Sequence, residues 1–121
     1  MLSDFLFTKN KLERALDATW LRNEVISQNI ANVDTPGYKR KEVRFEEYLD
    51  KELGSSTGGD ENIPIRVTED STKSSYRADG NNVDIENESA LLAANSLRYN
   101  TLIQKMNGDF QRLRSVITGG R

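Results

Sequence analysis

The sequence predicts a mainly α protein in which two long terminal helices pair as an antiparallel, coiled-coil-like hairpin around an irregular or extended, partly β middle segment. Apolar residues recur at helical spacing near both ends of the chain, and a polar stretch separates them. Two such seams cover each other most simply when they pair antiparallel and the middle loops out from one end. We divide the chain into helix and turn (1–38), a charged and Gly/Ser-rich excursion (39–82) and a helix (83–121) that shares a core with the first.

The N-terminal helix is predicted from apolar side chains at alternating three- and four-residue steps. Asn10 followed by Glu13 resembles a capping box, so the regular helix is expected to begin near Asn10. The seam positions are Leu12, Leu16, Ile26 and Ile30. Further apolar residues lie off the seam at Ala15, Ala18, Trp20, Leu21 and Val25. They form either a wide apolar face packed inside one molecule or a second surface for another subunit.

A sharp turn is predicted to end this helix. Pro36 lacks an amide donor and restricts Thr35 to extended backbone, and Gly37 supplies the positive φ that a type II turn requires after proline. Asn32 lies near the C-cap, where its side-chain amide either braces the turn or only caps the helix.

The basic run that follows the turn could suggest a site for phosphate or nucleic acid. Lys39, Arg40, Lys41 and Arg44 are followed at once by Glu46, Glu47, Asp50 and Glu52. These acidic residues cancel most of the positive field within a Debye length of ~8 Å. A solvated or intersubunit charged face is therefore the favoured interpretation, and no nucleic-acid partner is expected.

The middle of the chain cannot form a core of its own. Residues 54–59 read as a flexible Gly/Ser linker, and residues 54–82 contain few apolar side chains. Residues 63–67 alternate like a strand, but Pro64 restricts such a strand to an edge or an extended arm.

The C-terminal helix gives the clearest periodic signal. Turn chemistry at residues 78–82 precedes Asp84, and a helix from Asp84 to Thr118 would be ~52 Å long. Gly108 is a place where it could bend. Its seam positions are Leu92, Tyr99, Met106, Phe110 and Leu113.

Several function classes are made improbable by composition. The chain contains no Cys and no His, which removes thiolate chemistry, the usual general base at neutral pH and the commonest metal ligands. We expect no catalytic residues, cofactor, metal or small-molecule substrate. The net charge of −2 gives no general attraction to nucleic acid or anionic membrane. No cleavable leader and no membrane-spanning segment is predicted.

An isolated hairpin would leave apolar side chains partly covered. The positions concerned are Trp20, Leu21, Val25, Leu91, Leu97 and Ile103. Burying each contributes ~1.5–3 kcal/mol, so self-association is favoured.

One stretch of sequence resembles a known family. Ala31, Asn32, Thr35, Gly37 and Tyr38, with Pro36 between them, resemble the signature of the bacterial flagellar axial proteins, which build the rod and hook. Residues 39–41, Phe45 and residues 80–85 are similar to the proximal-rod members. The resemblance covers both ends of the chain and leaves the middle unmatched.

The resemblance implies a structural subunit of the basal-body proximal rod, whose terminal helices polymerise into the axial drive-shaft tube. The implied partners are other copies of the chain, other rod proteins and the base of the basal body, with its membrane ring and export apparatus. The implied location is the rod in the cell envelope, reached by flagellar export without a cleaved signal peptide. Phe45 and Leu49 resemble a short Phe-x-x-x-apolar element thought to engage the export gate, although ordinary core packing explains the same pattern. The rival function is a coiled-coil adaptor or chaperone-like module that forms a closed small oligomer.

Overall fold

The architecture is a pair of long helices with a small sheet packed beside it. A computed structural model describes residues 2–47, 64–70 and 77–119, with the side chains of the first helix described from residue 10 onward. Its elements are α1 (Leu2–Ala31), β1 (Lys41–Arg44), β2 (Arg66–Glu69) and α2 (Ile85–Ile117). None of the helices in these ranges is long and apolar enough to cross a membrane.

The two helices pair antiparallel, as predicted. Thr19 of α1 meets Asn95 of α2, whereas Asn29, ten residues later in α1, meets the earlier Glu88 of α2. The mainly α hairpin with a short β element is therefore confirmed.

Helix α1 begins earlier than the sequence suggested. It starts at Leu2, so the expectation of a regular start near Asn10 was wrong. No Gly or Pro lies between residues 2 and 31. The capping-box pattern at Asn10 and Glu13 therefore does not interrupt a helix that can continue through it.

Capping hydrogen bonds define both ends of helix α2. The Asp84 side chain accepts hydrogen bonds from the backbone N–H groups of Glu86 and Asn87, which would otherwise lack partners at the first turn. The backbone N–H of Thr118 closes the last turn by donating to the Arg114 carbonyl. The helix is continuous through Gly108.

The basic run forms strand β1, which pairs antiparallel with β2 in the register Val43 to Val67. The strand expected at residues 63–67 lies instead at Arg66–Glu69. Pro64 explains the shift, because it cannot donate a ladder hydrogen bond.

The apolar core is small and lies between α1 and the sheet. Ala18 and Phe45 form its centre, with Ala15 and Ile65 packed against them. Val25 is also buried, at 4% exposed, so the expectation that it would be only partly covered was wrong. The off-seam face of α1 thus divides: Ala18 and Val25 pack inside the molecule, and Trp20 remains 66% exposed.

Candidate functional site

The turn after α1 has the conformation that its sequence requires. Gly37 has a φ of +72°, and the Tyr38 N–H donates to the Thr35 carbonyl at 3.3 Å. Asn32 both caps and braces this turn. Its Nδ2 donates to the Gln28 carbonyl at 2.8 Å, and its Oδ1 accepts from Thr35 Oγ1 at 3.1 Å.

A second turn, before α2, locks onto the first. Asn81 is fully buried, and its Nδ2 lies 2.9 to 3.0 Å from three carbonyl oxygens in the turn that follows α1. The carbonyls belong to Asn32, Val33 and Thr35. These residues follow Ala31, the last residue of α1, so Asn81 fixes the turn after α1 from the segment just before α2.

The side-chain amide of Asn29 bonds the main chain of β1 on the edge that does not face β2. The Arg40 carbonyl accepts from Asp70 N–H, which turns the N–H and C=O of Lys41 away from β2. Asn29 meets both groups: its Nδ2 donates to the Lys41 carbonyl at 2.8 Å, and its Oδ1 accepts from the Lys41 N–H at 2.9 Å. The same Oδ1 accepts from the Tyr38 hydroxyl at 3.1 Å.

Glu88 is a fully buried carboxylate at the start of α2. One oxygen accepts from Arg40 Nε at 2.6 Å, and the other accepts from Asn29 Nδ2 at 3.2 Å. Arg40 also contacts Asp70 at 3.0 Å. Burial acts to lower the pKa of Arg40, but its hydrogen bonds to Glu88 and Asp70 outweigh burial, so the pKa is raised. The guanidinium therefore stays charged and holds α2, β1 and the β2 end together.

We call this set of side chains the polar junction. Its members are Asn29, Tyr38, Arg40, Asn81, Asn82 and Glu88. Asn82 joins through its Oδ1, which accepts the Arg40 N–H at 2.7 Å. Asn29, Tyr38, Arg40, Asn82 and Glu88 are linked by hydrogen bonds to one another, and Asn81 bonds the main chain beside them, which suits a rigid joint. Among the described residues, no group of three or more Asp and Glu could hold a metal ion.

Comparison with known proteins shows which family the chain belongs to. A family model described as flagella basal body rod protein matches residues 10–39. The chain is 38% identical to the flagellar basal body rod protein FlgB of Bacillus subtilis, over 99% of this chain and 100% of that protein. The chain belongs to the FlgB family of flagellar basal body rod proteins. FlgB of Escherichia coli is 30% identical, over 89% of this chain and 91% of that protein. The rod-family match ends at Lys39, so of the junction it includes Asn29 and Tyr38 but not Arg40, Asn81, Asn82 and Glu88.

The motif residues of this FlgB-family chain lie at the junction, and the seam residues lie along the hairpin. Ala31, Thr35, Pro36 and Gly37 are exposed, whereas Asn32 and Tyr38 are half-buried. Among the seam positions Ile26 is buried, Phe110 is exposed, and the rest are half-buried: Leu12, Leu16, Ile30, Leu92, Tyr99, Met106 and Leu113. Phe45, of the possible export-gate element, lies in the core at 3% exposed, and Leu49 lies outside the described residues.

The sequence interpretation missed Asn29, Asn81 and Glu88 as buried residues. A signal existed for Glu88, because Glu88 and Asn95 occupy the apolar stripe of α2, three residues after Ile85 and Leu92 respectively. A polar residue at such a position must find a partner on the facing helix. Asn95 does so by donating to the Thr19 carbonyl at 2.8 Å.

Replacing Tyr38 by phenylalanine is expected to lower the free energy of unfolding by ~0.5–1.5 kcal/mol, because Asn29 loses one hydrogen bond. Burial, then Glu88 and then Glu69, raise the Tyr38 pKa above its ordinary value of 10.0. A raised pKa means that the neutral phenol contributes stability below pH ~10, and that this stability is lost as the pH rises above it. Denaturant unfolding at neutral and strongly alkaline pH measures the difference. If the gap between the two proteins widens as the pH rises, this assignment is wrong.

Proposed function

We propose that the chain is a structural subunit of the proximal rod and that its terminal helices pack into the wall of the axial tube. The observation that carries the proposal is the apolar surface left on a locked hairpin: Trp20 is 66% exposed, and Leu97 is 69% exposed. The polar junction joins the helices rigidly at one end, so a small shift of the described helices against each other does not cover these side chains. Their burial against neighbours contributes ~1.5–3 kcal/mol each.

Open assembly follows if the contacting surfaces are unlike. A symmetric contact between identical patches closes a dimer, whereas a head-to-tail contact that does not close generates a filament or tube. The proposed partners are other copies of this chain, other rod proteins, and the membrane ring and export apparatus at the base. The names of the relatives, each a basal body rod protein, support the rod assignment. We also propose that the chain acts in the cell envelope, after export without a cleaved leader, and that it has no catalytic role.

The test is replacement of a relative's gene. A strain that lacks its own FlgB should regain swimming when it expresses this chain, and an internal tag should co-purify with isolated basal bodies. A chain that restores neither motility nor a rod, and that sediments alone as one closed small oligomer, would instead support the adaptor function. Because the Bacillus subtilis protein is 38% identical along its whole length, that organism is the suitable host.

The export-gate role of Phe45 and Leu49 stays a proposal about the unfolded chain. Phe45 packs against Ala18 in the folded protein, so the element can be presented only before folding. Measuring both the secretion and the free energy of unfolding of the Phe45→Ala variant distinguishes a role in export from a role in the core.

A further inference from the structure

We propose that two copies of this chain join by insertion of Trp20 of one copy into an apolar groove on the other. This inference rests on the proposed function and names the contact that would make the subunits self-assemble. The groove has a volume of about 450 Å³ and runs between α1, α2 and the residues after β1. Its apolar lining includes Ala15, Ala18, Phe45, Leu97 and Leu102.

Trp20 is an exposed aromatic side chain held in a defined position. Its ring lies 6.4 Å from the ring of Tyr99, tilted by 51°, and the side chain is nevertheless 66% exposed. Among the described residues its indole N–H has no hydrogen-bond acceptor. A largely exposed aromatic side chain with an unpaired donor is typical of interface anchors, which bury their ring and bond their N–H in a partner.

The rim of the groove has the chemistry that an indole needs. The Glu46 carboxylate lies on the rim, where it contacts Arg22 at 2.6 Å and Arg98 at 3.3 Å. A carboxylate offers about four acceptor positions, so Glu46 retains capacity for the indole N–H. Arg98 is largely exposed beside it and can stack on the ring face. The volume falls within the ~300–1,000 Å³ of ordinary binding pockets.

The ring and the groove lie on opposite flanks of the helix pair. Ala18 lines the groove and Trp20 does not, and the two are separated by about 200° around α1 because they are two residues apart. On α2, Leu97 lines the groove and Tyr99 contacts the Trp20 ring, so these two residues also lie on opposite flanks. Among the described residues, each copy therefore has an uncovered ring on one side and an uncovered groove on the other, at the same level along the hairpin. Such a contact repeats side by side, as the wall of a tube requires.

Two exposed positions allow each half of the contact to be removed alone. Trp20→Ala removes the ring, and Leu97→Asp places a charge in the groove. Val116→Ala is the control, because Val116 is as exposed as either but lines neither surface. Circular dichroism should show native helicity for all three variants. In sedimentation velocity the wild type and Val116→Ala should associate as concentration rises, and the two contact variants should associate at least about tenfold more weakly.

Mixing the two variants gives the decisive measurement. Trp20 is the only tryptophan in the chain, so in a mixture the fluorescence comes from Leu97→Asp alone. Addition of Trp20→Ala should shift that emission to shorter wavelength and yield one-to-one dimers but nothing larger. Three results would overturn the inference: no shift, self-association of Leu97→Asp with shifted emission, or a wild type that stays monomeric at the highest concentration reached. Variants that still enter basal bodies and restore swimming would also overturn it while leaving the rod function intact.

Discussion

The Asn29→Ala variant should unfold with a free energy lower than that of the wild type by about 3 kcal/mol. Asn29 bonds both main-chain groups of Lys41 that face α1, and it also bonds Glu88. Each buried polar group left without a partner costs about 1–3 kcal/mol, and relaxation keeps the total below the sum. Chemical denaturation followed by far-UV circular dichroism measures the change.

The isosteric Asn29→Asp variant sharpens this test. It keeps an acceptor for the Lys41 N–H but turns a carboxylate oxygen toward the Lys41 carbonyl and toward Glu88. We therefore expect it to be at least as destabilised as Asn29→Ala at neutral pH, although it removes fewer atoms. Gln28→Ala is the control, because Gln28 is the exposed neighbour on the same turn of α1 and should change stability by less than about 0.5 kcal/mol. If all three variants were equally stable, Asn29 would not hold β1 against α1.

The Glu88→Ala variant should lose about 3 kcal/mol, since removal of one partner of a buried ion pair leaves the other charge uncompensated. The Arg40 side chain is 15% exposed and retains Asp70, which keeps the loss at the lower end of the usual range for such pairs. Glu88→Gln should fall between the wild type and Glu88→Ala. Its single side-chain oxygen can accept from Arg40 or from Asn29 but not from both at their present positions.

The control for Glu88 is Glu86→Ala, the same substitution two residues away on an exposed position of the first turn. It removes a favourable interaction with the helix N-terminus and should cost under about 1 kcal/mol. Asn29→Ala combined with Glu88→Ala should cost less than the two single changes together, because they share a hydrogen bond. Full additivity would mean that the two side chains act independently.

The long elements of the fold were predictable because local signals define them. The apolar stripe and Asp84 cap specify α2 almost to the residue, and Pro36 with Gly37 specify the end of α1. Each of these signals acts within a few residues of the chain. Sequence periodicity then suffices to predict that the two stripes face each other.

The joint itself could not be predicted, because it depends on contacts between distant segments. Asn29 and Glu88 are 59 residues apart, and Arg40 and Glu88 are 48 apart. Asn29 lies three residues after the seam residue Ile26, as Glu88 lies three after Ile85, but this spacing does not identify the partner that each side chain meets. The pairing of β1 with β2 was missed for a similar reason: a run of lysine and arginine looks solvated until the acidic partners that surround it in space are known.

The hydrogen bond that Asn81 donates to the carbonyl of Asn32 spans 49 residues of chain. A turn that depends on so remote a donor cannot reach its final form until the two segments meet, and closing a loop of that length carries an entropic cost that local turns avoid. Neither end of the chain can complete the joint without the other. Completion of the joint therefore requires segments as far apart as Asn29 and Glu88 to be in place together, and a partly folded chain lacks the rigid hairpin.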